Sequence, residues 1–193
     1  MRIITGSLKG RNFKSSDNNQ THPMSEKMRG AIFASLGDIS GLDVLDAFSG
    51  TGALALEAIS RNAAYVTVIE SNLKNVELIK RNILSLGVKD HARVIRAQVE
   101  TWATANKHCF DLVLVDPPYD HISLRAIEEL SKLIKKGGVL ALSWPGRLSL
   151  PQLTGLQLVK LNRFGDAQYG LYLRSVEALS ISEKRSDGKN NTA

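Results

Sequence analysis

An α/β fold built on a mostly parallel sheet is what this sequence predicts, and three observations predict it. Short apolar runs rich in Val, Ile and Leu alternate with longer stretches whose apolar residues recur every three to four positions. The runs follow one another closely enough to be joined as βαβ units, the connection that parallel strands require. With 193 residues, 43% apolar and 23% charged, the chain fills one ordinary globular core and is too short for two comfortable ones.

Taken in order, residues 2–14 alternate apolar and polar side chains around Gly6-Ser7-Leu8-Lys9-Gly10, the pattern of a small β-hairpin. Residues 15–22 are polar and turn-rich, a loop. Ser25 caps a helical pattern in which Met28, Ile32, Phe33 and Leu36 share a face. Strands are expected at 42–48, 65–70, 93–97, 110–115 and 139–144, with helices at 52–61, 73–86, 99–105 and 123–135. Residues 156–164 and 169–174 read as two strands joined by a turn at Gly165-Asp166, so the sheet should end in an antiparallel pair. Three regions follow: an N-terminal hairpin and loop (1–22), the main domain (23–175), and a polar tail expected to be disordered (176–193).

No apolar run approaches the roughly 20 residues of a membrane helix. The start of the chain lacks the apolar core of a signal peptide. The single cysteine, Cys109, rules out an internal disulfide framework and a cysteine-based zinc site. His91, His108 and His121 have no metal-ligand spacing. A cytoplasmic, metal-free monomer is the expectation. The formal net charge is +6. Up to Arg29, the cations Arg2, Lys9, Arg11, Lys14, Lys27 and Arg29 face only Asp17 and Glu26, so this segment holds four of the six net charges. Such a balance favours a polyanionic partner.

The first buried strand runs into Asp46-Ala47-Phe48-Ser49-Gly50-Thr51-Gly52. Glycines at a strand-to-helix turn permit a sharp bend and close approach of a ligand. Glu70 ends the next strand, where an acidic side chain can accept both hydroxyls of a ribose. An adenosine-containing cofactor on a Rossmann-like sheet follows. Asp46 beside the loop suits a ligand ammonium and would repel a pyrophosphate, which favours S-adenosylmethionine over a nicotinamide dinucleotide.

The strand at 110–115 ends in Asp116-Pro117-Pro118-Tyr119, at the carboxyl edge where open α/β sheets bind ligands. The prolines remove two donors and stiffen the turn. The Asp116 carboxylate and Pro117 carbonyl remain as acceptors, and Tyr119 adds a flat face. This equipment suits an aromatic amine, whose lone pair is delocalised until acceptors hold its hydrogens. Asp116 would stabilise the developing ammonium, and Tyr119 would stack on an extruded base. Cys109 and Trp144 are read as packing residues, and Lys80-Arg81 and Lys135-Lys136 as cations late in helices. Arg125 is a secondary candidate for a phosphate.

With both motifs placed, the chain resembles the class I methyltransferases that act on amino groups, and more closely the RsmD family. Those bacterial enzymes methylate N2 of one guanine in 16S ribosomal RNA. The resemblance spans residues 2–174. It rests on Arg2-Ile-Ile-Thr-Gly6 with Lys9-Gly-Arg11, then on His22-Pro23-Met24-Ser25-Glu26-Lys27-Met28-Arg29. Further on come the glycine loop with Leu56-Glu57-Ala58, then Glu70, Asp116-Pro-Pro-Tyr119 and Gly165-Asp-Ala-Gln-Tyr169-Gly170. It implies a seven-stranded sheet, S-adenosylmethionine as donor held by Asp46, Phe48, Ser49, Gly50, Thr51, Gly52, Glu70 and Gln98, and the partly assembled small ribosomal subunit as substrate. It also implies that the N-terminal hairpin holds RNA through Arg2, Lys9, Arg11, Lys14 and Arg29. The family usually has Arg-Pro-Thr where this chain has His22-Pro23-Met24, with Ser25 as the replacement hydroxyl. Gln98 stands where the family has Asp or Asn against the adenine. A DNA adenine-N6 methyltransferase could use the same turn, although the chain has no room for a separate target-recognition domain. A protein-glutamine methyltransferase usually has Asn at its start. The rival of a different class is a catalytically silent RNA-binding assembly factor.

Overall fold

In a computed structural model of the chain, residues 1–15 and 24–176 are described. Seven strands form one sheet in the order β3-β2-β1-β4-β5-β7-β6. They are β1 (Asp43–Ala47), β2 (Tyr65–Glu70), β3 (Ala92–Arg96), β4 (Phe110–Val115), β5 (Ile134–Pro145), β6 (Leu156–Phe164) and β7 (Ala167–Arg174). β1 to β5 pair in parallel, and β7 runs antiparallel to both β5 and β6. The helices are α1 (Glu26–Leu36), α2 (Ala53–Ser60), α3 (Leu73–Leu86), α4 (Val99–Ala105) and α5 (Leu124–Lys132). The predicted class is the observed one.

The core is two-layered about the sheet. One cluster joins Ile32 and Phe33 of α1, Leu56 of α2 and Ile79 of α3 to Val44, Val66, Leu112 and Leu171 of the sheet. The other joins Val99 of α4 and Ile127 and Leu130 of α5 to Leu45, Val113 and Leu142. Neighbours along a strand alternate between the clusters, as the period of two requires. The central strands are apolar on both sides because both faces are covered.

Local chemistry sets the boundaries. Ser25 accepts from the Met28 amide at 3.1 Å and starts α1. The Ser25 hydroxyl expected near the site is thus engaged as a helix cap. Asn72 caps α3 from Lys74 and Asn75, and Gly87 ends it in the left-handed region.

Two expectations need correction. α5 stops at Lys132, and Lys135 and Lys136 belong to β5 rather than to a helix end. Lys135 is held in the sheet by an ion pair with Asp111 at 2.9 Å, and a shift of register between Phe110 and Leu112 absorbs the irregular start of β5. The N-terminal segment follows a hairpin path but forms a single bridge, Arg2 with Asn12, in place of two strands. Ile3 and Phe13 donate across the hairpin to the Arg11 and Met1 carbonyls, each at 3.0 Å, but other amides of the segment are spent elsewhere. Ile4 and Thr5 donate to the Glu57 carboxylate at 2.9 and 3.0 Å, and Ser7 donates to the Ser60 carbonyl at 2.6 Å. Gly6, at φ +91°, lies so close to α2 that a β-carbon would stand 1.8 Å from the Ser60 carbonyl oxygen. Ile3 and Phe13 of the segment lie in the hydrophobic core. The 22/23 division, His22, Pro23 and the tail from 177 onward lie outside the described residues.

Candidate active site

Parallel strands deliver their last residues to one edge, and the predicted groups meet there. Asp46 lies near the end of β1, Glu70 ends β2, Gln98 follows β3 and Asp116 follows β4. β1 lies between β2 and β4, with Ala47 opposite both Ile69 and Val115. The glycine loop therefore sits next to the Asp-Pro-Pro-Tyr turn.

The loop turns sharply. Phe48 adopts φ 62°, uncommon for a side chain of that size, and Gly50 and Gly52 have φ 55° and 81°. Such backbone strain concentrates at functional sites. A β-carbon on Gly52 would press on Ile79 of α3 at 3.1 Å, whereas one on Gly50 would project into open space. The loop is thus packed on its helix side at Gly52 and open at Gly50. Glu70 braces it: one carboxylate oxygen accepts from the Gly50 amide at 2.8 Å, the other from the Asn72 amide at 2.7 Å. Ser49 and Thr51 are buried within the turn, and the Thr51 hydroxyl reaches the Met1 sulfur at 3.6 Å.

Asp46 is fully buried. Its Oδ2 accepts from the Ser49 hydroxyl at 2.5 Å and the Ala55 amide at 3.0 Å, while Oδ1 has no partner. Desolvation pushes this carboxyl up to about 7, against those two hydrogen bonds, with Asp116 and Glu70 adding repulsion. An orphaned buried acceptor costs on the order of 1–3 kcal/mol. A ligand cation beside it would offset that cost. Gln98 is exposed at the head of α4 and makes no capping bond, so its amide is free to meet a ligand. These features fit the amino-acid, ribose and base portions of S-adenosylmethionine.

At the neighbouring turn, Pro117 is buried, Pro118 exposed and Tyr119 half-buried. Desolvation pushes the Asp116 carboxyl up to about 6, while the nearby Ser143 hydroxyl pulls the other way. The Tyr119 hydroxyl lies 2.6 Å from Ser143 Oγ, and burial pushes the phenol up to about 12. Sequence reasoning missed Ser143. It lies inside an apolar strand, and only the pairing of β4 with β5 brings it to the turn. Trp144, read as a packing residue, is buried and donates to the Ser149 carbonyl at 3.0 Å. Cys109 is only partly buried.

Of the five cations assigned to RNA, Arg2, Lys9, Arg11 and Lys14 are exposed. Arg29 is not available. It is fully buried, donates to the Arg2 carbonyl at 2.7 Å and pairs with buried Glu57 at 3.7 Å. Burial lowers its pKa, opposed chiefly by Glu57. Its position one turn before buried Phe33 on the inward face of α1 placed it inside, and the carboxylate of α2 compensates it. Arg125 is exposed and pairs with Glu100 at 3.2 Å.

Residues 1–173 match the family model described as Conserved hypothetical protein 95. The ribosomal RNA small subunit methyltransferase D of Buchnera aphidicola is 31% identical over 179 residues, covering 90% of this chain and 93% of its own length. The Escherichia coli protein of that name is 32% identical over 142 residues, 73% of this chain and 70% of its own. The solved structure of yhhF from Escherichia coli superposes with a TM-score of 0.83 at 27% identity, over 92% of this chain and 99% of that one. By this family match and these identities, the chain belongs to the RsmD family of ribosomal RNA small subunit methyltransferases.

Proposed function

We propose that this protein transfers a methyl group from S-adenosylmethionine to the exocyclic N2 of a guanine in 16S ribosomal RNA, on the assembling small subunit. The observation that supports the reading most is the adjacency of a braced glycine loop and the Asp116 turn on neighbouring strands. The cofactor supplies an electrophilic methyl group on a sulfonium. The chain's own residues do the rest. Glu70 accepts from the ribose hydroxyls, Asp46 answers the ligand ammonium from within, and Gln98 meets the adenine. Phe48, Ser49, Thr51 and the two glycines shape the cradle. Asp116 and the Pro117 carbonyl hold the two amine hydrogens, localising the lone pair for an in-line displacement. The negative charge of Asp116 then stabilises the ammonium that forms and can take its proton. Tyr119 presents its ring to the base, and Pro118 keeps the turn stiff.

The exposed cations Arg2, Lys9, Arg11 and Lys14 are assigned to the RNA backbone. Arg81 joins them: it lines a cleft of about 380 Å³ with Asn12, Phe13, Lys14, Asn82 and Ser85. Asn82 fixes Lys14 there, accepting from its amide at 3.0 Å and donating to its carbonyl at 2.9 Å. No helix among the described residues is long and apolar enough to cross a membrane. A monomer working in the cytoplasm is our reading. The preference for guanine over adenine rests on family membership alone.

The test supplies methyl-labelled S-adenosylmethionine with unmodified 30S particles, naked 16S rRNA and DNA. Label recovered as N2-methylguanosine from 30S particles is the expected result. Label only in DNA adenine, or none in any substrate despite cofactor binding, overturns the proposal. A Glu70→Ala variant should bind S-adenosylmethionine about 10- to 100-fold more weakly by calorimetry, the loss of one or two hydrogen bonds to a charged acceptor. Unchanged affinity would remove Glu70 from the cofactor site.

A further inference from the structure

We infer that Gly146-Arg147-Leu148-Ser149, the turn that follows β5, is a second RNA-gripping element, holding the ribosomal RNA strand on the far side of the Asp116 turn from the N-terminal segment. Arg147 takes a backbone phosphate there, and Leu148 packs on the nucleotide next to the target guanine. This rests on the proposed function, because it follows the same RNA across the catalytic edge.

Strand register sets the position. β4 and β5 are parallel neighbours with Val115 opposite Leu142, and continuing that register puts Asp116 level with Ser143 and Pro118 level with Pro145. The Tyr119 hydroxyl, 2.6 Å from Ser143 Oγ, ties the two strand ends together. The residue after Pro145 begins the turn, one strand spacing of about 4.8 Å from the line of β4. On the other side of β4 lies β1 with the glycine loop, where the Thr51 hydroxyl meets the Met1 sulfur at 3.6 Å. The start of the N-terminal segment, the Asp116 turn and residues 146–149 therefore succeed one another along the edge. A strand of RNA that delivers a base to the middle one passes the other two.

The turn is exposed yet held from within. Exposed loops are ordinarily the mobile parts of a fold. Here the buried Gln168 side chain donates to the Pro145 carbonyl at 2.9 Å and to the Leu148 carbonyl at 2.5 Å. The buried Trp144 indole donates to the Ser149 carbonyl at 3.0 Å, and the buried Tyr172 hydroxyl to the Pro151 carbonyl at 2.7 Å. The Gly146 amide donates to the Asp166 carbonyl at 2.7 Å, and a β-carbon on Gly146 would stand 3.1 Å from the Gly165 carbonyl oxygen. Each of these bonds engages backbone, so the turn keeps its shape whatever side chains it carries at 147 and 148. A loop fixed in advance loses little freedom when a partner binds.

What the turn displays matches an RNA strand. Arg147 is exposed, and its guanidinium suits a phosphate oxygen pair. Arg163, exposed near the end of β6 and opposite Gln168 in the pairing with β7, adds a cation to this side against the exposed Asp166 carboxylate. Leu148 is 45% exposed. A lone exposed leucine needs no explanation, but one set on a pinned turn beside the reacting groups presents an apolar tip of the kind that packs against unstacked bases. Extruding the guanine leaves such a base beside it.

On unmodified 30S particles, Arg147→Glu should raise the Kd about 10- to 100-fold, and Arg147→Ala should make the dependence of log Kd on log salt shallower by about one, both with S-adenosylmethionine affinity unchanged. Leu148→Ala should lower kcat/KM about 5- to 10-fold. A photo-reactive side chain maps the contact: Leu148→p-benzoylphenylalanine should crosslink to the methylated guanine or its immediate neighbours. Tyr65→p-benzoylphenylalanine, at the opposite edge where β2 begins, should give no crosslink near that guanine. Arg147→Glu protein that binds 30S particles as tightly as the unaltered protein overturns the inference, as does a Leu148 crosslink confined to other parts of the rRNA or none at all. If the unaltered protein methylates no RNA, the functional reading fails, and the affinity of Arg147→Glu protein for 16S rRNA still decides whether this turn grips RNA.

Discussion

Asn in place of Asp116 is expected to lower kcat on 30S particles by about 10²- to 10³-fold, with S-adenosylmethionine affinity essentially unchanged. The substitution is nearly isosteric and keeps one acceptor, so the shape of the turn survives. What it removes is the fixed negative charge at the point where the amine becomes positive. A preorganised charge in a desolvated position is worth most there because nothing has to reorganise during transfer. Asp116→Ala should lose more, since it also abandons the amine hydrogens. The same argument sets the acid limb of the unaltered enzyme. Burial pushes the Asp116 carboxyl up to about 6, above its ordinary 3.8. As pH falls through 6 the carboxyl takes up a proton, the active ionised form disappears, and kcat at saturating cofactor falls about tenfold per unit. Asp46, pushed up to about 7, lies on the cofactor side near the end of β1, so its titration should appear in the affinity for cofactor. A variant with full kcat, or an acid limb unchanged in Asp116→Asn, removes the turn from the chemistry.

The largest effect on stability is expected at Glu57, outside the reacting centre. Glu57→Ala should destabilise the fold by about 3–5 kcal/mol, because it leaves Arg29 buried and unpaired. For a domain of this size that lowers Tm by roughly 10 °C. The carboxylate has more dependants than Arg29. It accepts from the Ile4 and Thr5 amides and the Arg61 side chain, the last at 3.0–3.1 Å. The N-terminal segment should therefore become sensitive to protease in Glu57→Ala before the domain melts. Adding Arg29→Met should recover part of the loss, since a hydrophobic residue in that space leaves no orphaned charge. A Tm within about 2 °C of the unaltered protein would show that Arg29 finds other partners.

These two residues mark what could and could not be read beforehand. Asp116 was legible because two prolines and a tyrosine follow an apolar strand, and topology puts every such strand end on one edge. Glu70 was legible for the same reason. The limits of β2, α3 and α4 followed from local chemistry, with Asn72 and Gly87 bracketing α3. Arg29 was misread because charge counting cannot distinguish a cation that faces water from one matched to a carboxylate 28 positions later. The N-terminal hairpin was read too regularly for a related reason: its alternation is genuine, but the amides of Ile4, Thr5, Ser7 and Leu8 bond α2. The start of β5 was lost because Lys135-Lys136-Gly137-Gly138 has neither strand periodicity nor apolar content, and it becomes strand only against Asp111 and β4. Ser143 could not be singled out at all. Its meaning comes from a neighbour 24 residues away across a parallel pair.

The reversed strand at the end of the sheet also imposes an order of events. β7 runs against its neighbours, so its first residues lie at the catalytic edge, where Gln168 pins the turn after β5. β6 is made earlier yet sits outermost, with nothing to pair against until β7 exists. A chain emerging from the ribosome can therefore assemble β1 to β5 and already carry every residue of the glycine loop and the Asp116 turn. It still lacks the strand that holds β5 in place. Competence is thus deferred until β6 and β7 have both been made, when the two strands close together onto β5 and the edge acquires its final wall.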